Sequence, residues 1–133
     1  MNKTLWQARL RALIYHVPSP TTLTFFAGLF AGAGINILTS AATEQFPSPM
    51  RQVAVSDAVL WVVAAGFLVA AAQRLEAAER EAARYADPHL GPAERHEVRK
   101  SMIDRVAGST AVLFGLAVLS LIAAVLLLVV LLT

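Results

Sequence analysis

The sequence predicts an all-α integral membrane protein. It reads as three transmembrane helices with an N-terminal amphipathic interfacial helix and a cytoplasmic helical hairpin that extends spans two and three. Three observations carry this expectation. The 133 residues are 57% hydrophobic and 15% charged, against about 45–50% and about 25% in ordinary soluble domains, and the mean hydropathy is +0.62. Three separate stretches supply the roughly 20 apolar residues that a helix needs to cross a bilayer. The polar sequence between the second and third stretches is rich in strong helix formers and is broken only once.

The same composition excludes several classes of protein. A soluble enzyme of this hydropathy would expose more contiguous apolar surface than water tolerates. With no cysteine, disulfide scaffolds, thiolate metal sites and cysteine nucleophiles are ruled out. Eleven Lys and Arg against nine Asp and Glu give a net charge of +2. These positive charges form no dense block, so no nucleic-acid partner is expected, and a mild basic excess reads as topology information.

Residues 1–20 form the first element. On a helical wheel Trp6, Leu10, Leu13, Ile14 and Val17 share one arc, with Thr4, Gln7 and Arg11 roughly opposite; this pattern suits a helix lying in the membrane interface. Pro18-Ser19-Pro20 ends it, and Ser19 with Pro20 forms a cap-then-proline start for the next helix. The remainder, 21–133, is a three-span bundle with spans at about 21–42, 53–73 and 108–132 and a hairpin at 74–107.

Span one carries no charge. Lys3, Arg9 and Arg11 before it and Thr39-Ser40-Ala41-Ala42 at its end resemble a cleavable signal peptide; we read it as a retained helix. Its helix-packing candidates are Gly28 and Gly32, offset by Ala27 and Ala31, with Gly34 nearby, because small residues at four-residue spacing let helix backbones approach closely. Asn36, Thr39 and Ser40 lie in its outward half. The connection 43–52 is short and stiff, and Ser48-Pro49 repeats the cap-then-proline pattern, placing the start of the second helix near Met50.

Span two contains one charge, Asp57. Ionisable residues within spans usually mark function, but this one sits within two turns of the outer end, where the helix dipole favours an acid. With Asn36, Thr39 and Ser40 it forms a candidate polar vestibule. Beyond span two, Gln73–Ala86 holds the i, i+4 pair Glu76–Arg80. After Asp87-Pro88-His89-Leu90-Gly91-Pro92 a second polar arm runs into span three. The arms have 14 and 15 residues, about 21–22 Å each at about 1.5 Å per residue, as expected for the two sides of one hairpin. Leu75, Ala78, Ala82 and Tyr85 form a thin apolar stripe on the first arm, and Val98, Met102 and Val106 form one on the second. Arg84, Arg95, Arg99 and Lys100 form a candidate cytoplasmic contact surface. Span three, mainly Leu and Val beyond Gly115 and Ser120, is expected to face lipid, leaving the tight contacts to spans one and two.

No catalytic constellation appears. His89, Glu94, His96 and Glu97 are the nearest approach to a metal or acid–base cluster, but the spacing of a metal-binding helix is absent, and a solvated helix accounts for them. No enzyme activity, metal or cofactor is expected. Membrane lipid and other copies of the chain, or another membrane protein, are the expected partners. The expected function is that of a non-catalytic accessory or scaffold subunit of an oligomeric membrane assembly. The alternative is a homo-oligomeric pore, channel or membrane-permeabilising effector gated through the hairpin.

Ten of the eleven Lys and Arg residues lie in the N-terminal segment and the hairpin, and Arg51 alone lies in the other connection. The excess of positive charge marks the cytoplasmic side. The expected location is a bacterial inner (plasma) membrane with the N-terminus inside and the C-terminus outside. Reporter fusions at Pro88 should therefore register as cytoplasmic and fusions at Thr133 as external; an external Pro88 would reverse the orientation.

Overall fold

The structure is a computed structural model, and it describes residues 5–6, 8–9, 12, 18–43, 45–85 and 88–133. Three long helices are described in full: α1 (Pro20–Ala42), α2 (Ser48–Tyr85) and α3 (Pro92–Leu132). All three are long and apolar enough to cross a membrane. The expected interfacial helix lies mostly outside the described residues; Leu5, Trp6, Ala8, Arg9 and Ala12 are helical and exposed.

The helix ends follow from local chemistry. Ser19 caps α1, its hydroxyl accepting from the Thr22 N–H at 3.3 Å, and Pro20 occupies the first turn, where its missing N–H leaves no bond unmade. α2 starts at Ser48, slightly ahead of the expected Met50. There the Pro47 carbonyl takes the N–H groups of both Met50 and Arg51, and Pro49 falls among the first-turn positions that need no donor. At α3 the Glu94 carboxylate accepts from the Gly91 N–H at 3.4 Å, and Pro92 again opens the helix.

α2 has 38 residues and α3 has 41, so each is about 57–62 Å long at about 1.5 Å per residue. A bilayer core is only about 30 Å thick, so much of each helix extends beyond the length needed to span it. α2 is unbroken across 73–76, where the apolar span meets the polar arm. Arg74 stays exposed there and donates to the Ser109 hydroxyl of α3 at 2.9 Å.

α2 is the central helix. Among the described residues, α1 and α3 each pack against it, and their backbones do not approach one another. Two seams result. Ala27, Gly34 and Ala41 of α1 are buried against α2 at a seven-residue spacing. On the other side, the Arg74–Ser109 and Glu79–Arg99 bonds set an antiparallel register between α2 and α3. Carried along the helices, that register places Ala71 level with Thr110, Ala64 with Ala117 and Asp57 with Ala124. All six residues have no exposed surface. A seven-residue period keeps one face of each helix turned to its partner, and small side chains there let the backbones close up.

These seams revise the expected division of labour. Span three does present Leu and Val outward, with Leu119 64% exposed, but Ala117 and Ala124 bind it tightly to span two. The stripes on the polar arms continue the seam. Leu75, Ala78 and Ala82 are buried, Val98, Met102 and Val106 are half-buried, and Tyr85 falls outside at the end.

The closest approach of α1 to α2 occurs at Gly34. A Cβ there would lie 2.9 Å from the Ala58 carbonyl oxygen, 2.9 Å from Val62 Cγ2 and 3.2 Å from Trp61 Cβ. Backbone cannot yield to this as a flexible side chain would. Gly34→Ala should therefore cost about 1–3 kcal/mol through overpacking and lower the melting temperature in mild detergent. Gly66→Ala, with nothing within 4 Å of the added methyl, should not lower it. Equal melting temperatures for the two variants would contradict this account of the seam.

Candidate functional site

Two groups of residues were singled out for function, one within the spans and one on the polar arms. Asn36, Thr39, Ser40 and Asp57 do not share a surface. Asn36 and Thr39 are exposed on α1 and Ser40 is half-buried. The Thr39 hydroxyl donates to the Ile35 carbonyl at 2.9 Å, so it is satisfied within its own helix. Asp57 has no exposed surface.

Burial changes the reading of Asp57. α2 begins at Ser48, so Asp57 stands nine residues along the helix, about 13 Å at about 1.5 Å per residue. The dipole acts mainly within the first turn, so it gives little support to a charge at this depth. Neither carboxylate oxygen has a hydrogen-bond partner among the described residues. Ala54 and Ala58 beside it are likewise covered. A charged aspartate at a helix centre in the membrane costs about 2.5–3.5 kcal/mol on insertion scales.

Trp61, one turn further along α2, is half-buried, and its indole N–H also lacks a partner among the described residues. The Trp61 ring meets Phe30 of α1 with centroids 5.6 Å apart, and Phe30 stacks on Phe26 at 6.0 Å. These contacts extend the aromatic packing across the α1–α2 seam. Thr110 is a second buried polar side chain whose hydroxyl has no partner among the described residues. Thr110 is hardly marked in the sequence. Its only signal was its place seven residues before Ala117 in an otherwise Leu- and Val-rich span.

The packing candidates divide between two faces of α1. Ala27 is buried and Ala31 half-buried toward α2. Gly28 and Gly32 are exposed, and a Cβ at either would meet nothing within 4 Å. Asn36 continues their line at i, i+4, i+8 spacing on the same exposed face. Close packing inside the chain thus falls to Gly34, while the Gly28–Gly32 edge is left open.

On the polar arms, Arg84, Arg95, Arg99 and Lys100 are all exposed. Two of them are already engaged. Arg95 donates to the Pro88 carbonyl at 3.0 Å, fastening the connection to α3, and Arg99 pairs with Glu79 across the two helices at 3.0 Å. Arg84 borders a shallow hollow with Arg80 and Glu81, and Lys100 borders one with Glu97 and Asp104. Both hollows mix acids with bases, so neither is a single-sign anion cradle. Glu76 and Arg80 form the expected i, i+4 pair at 2.6 Å; in so exposed a position it contributes little to stability. Among the described residues no group of three or more His, Asp or Glu is placed to hold a metal ion.

The chain matches no family model, no curated protein and no solved structure. Among the described residues, the geometry defines three helices able to cross a membrane, with a covered carboxylate in a seam and an open small-residue edge.

Proposed function

We propose that this protein is a non-catalytic accessory or scaffold subunit of an oligomeric membrane assembly. The observation that carries this reading is the open edge of α1. Gly28, Gly32 and Asn36 lie in one exposed line, with empty space where side chains would stand at the two glycines. A glycine line on a membrane helix is a groove into which a second helix fits closely, and an amide at its end can hydrogen-bond across the contact. The opposite face of α1 is occupied by α2, which directs this edge outward toward another copy or another membrane protein.

In this reading the polar ends of α2 and α3 project from the membrane as a cytoplasmic hairpin. Its exposed Arg84 and Lys100 form the contact surface, while Arg95 and Arg99 also brace the hairpin itself. The N-terminal segment lies on the same side of a bacterial inner membrane, and the Lys and Arg distribution supports that placement. One observation favours a second reading, a homo-oligomeric pore: Asn36 and Thr39 are exposed on the same helix, so a ring of copies could turn them toward a common axis.

Gly32→Ile tests the assembly without disturbing the chain, because nothing in the chain lies within 4 Å of the new side chain's first carbon. The variant should dissociate or misassemble the complex in native mass spectrometry or cross-linking in mild detergent. Leu119→Ile on the exposed face of α3 should leave it intact. Unchanged assembly for Gly32→Ile would sink the proposal, and loss for Leu119→Ile would move the interface to α3.

Liposomes containing the purified chain should show no solute flux above protein-free vesicles. Sustained flux that is abolished by Asn36→Leu would establish the pore reading instead.

A further inference from the structure

Asp57 is sealed in by its own chain. It has no exposed surface, so the side chain of a partner subunit cannot reach it, and neither of its carboxylate oxygens has a hydrogen-bond partner among the described residues. α1 contains no charged or titratable residue. On α3, the whole stretch 106–133, which includes the position level with Asp57, contains none either. On α2 the nearest charges in sequence are Arg51 and Arg74. Arg51 is six residues away, on a different face of the helix at about 100° per residue, and is engaged in an interaction of its own. Arg74 is bonded to Ser109.

A buried carboxylate must be paired, coordinated to a cation or neutralised. Among the described residues, nothing in the seam pairs it. A hard cation needs about six or more oxygen ligands, and the small residues around Asp57, namely Ala54, Ala58 and Ala124, offer no side-chain oxygen.

We propose that Asp57 is a proton-binding site within the membrane span, held as a neutral carboxylic acid by the closed α2–α3 seam. As an acid it becomes both donor and acceptor. Its O–H can donate to the carbonyl one turn back, at Val53, as the hydroxyls of Thr24 and Thr39 do in α1. Its remaining oxygen can accept from the Trp61 indole N–H one turn on, the other unsatisfied group of this helix turn. Proton binding removes the uncompensated charge and supplies the donor that the bare carboxylate lacks, and it does so whether the assembled protein acts as scaffold or pore.

Infrared spectroscopy on the full chain in mild detergent tests this directly. At neutral pH, wild type minus Asp57→Asn should show the carbonyl band of a neutral acid in apolar surroundings. Carbon-13 labelling of aspartate in the wild-type chain should shift the same band, which removes dependence on the variant's folding. The only other aspartates, Asp87 and Asp104, lie outside the spans. The acid band should persist unchanged when sodium is added. Carboxylate bands in place of the acid band would overturn the proposal. Loss of the acid band on addition of sodium would also overturn it, making the site one for a metal cation.

Discussion

The structure depends on close approach of helix backbones along α2. In a bilayer, apolar side chains gain little by leaving lipid for protein, so helix association rests on packing contacts and interhelical hydrogen bonds. That makes the size of the side chains in the seam decisive. Ala27, Gly34 and Ala41 on one side of α2, and Ala64, Ala71, Ala117 and Ala124 on the other, are small residues at a seven-residue spacing. A larger side chain at these positions would hold the helices apart and forfeit dispersion contacts along the neighbouring turns.

Placing both seams on one helix makes the fold asymmetric. α2 is enclosed from two sides, whereas α1 and α3 each keep an outward face. These outward faces differ in kind. α3 shows branched aliphatic side chains such as Leu119 and Val125, a surface matched to lipid tails. α1 shows glycines and an amide at Gly28, Gly32 and Asn36, a surface matched to another helix. The proposed assembly follows from that contrast, because the chain itself leaves this glycine edge empty.

Beyond the apolar stretches, α2 and α3 continue as helices with the same register. The sequence turns polar here, and the seam changes chemistry accordingly: Leu75, Val98 and Met102 join Ala78 and Ala82 along it, while Glu79–Arg99 and Arg74–Ser109 close the flanks. Surface pairs of this type add little stability, but they fix which residues of α2 and α3 stand side by side. The register they set at the polar end is the register that brings Asp57 level with Ala124 near the other end.

The sequence alone determined the helical class, the number of helices long and apolar enough to cross a membrane and roughly where they begin, because bilayer thickness, proline geometry and capping chemistry act on local stretches of chain. Ser19-Pro20 and the Gly91-Pro92 start could be read directly, and so could the Glu76–Arg80 pair. Tertiary structure decided which small residues pack. Gly28, Gly32 and Gly34 look alike in sequence, and only the rotation of α1 about its axis presses Gly34 onto Ala58 and leaves the other two open. The same holds for Asp57. Its place near the start of an apolar run suggested contact with water, but exposure is a property of the neighbours. It was the alanine seam, assembled from residues more than sixty positions apart, that closed over it.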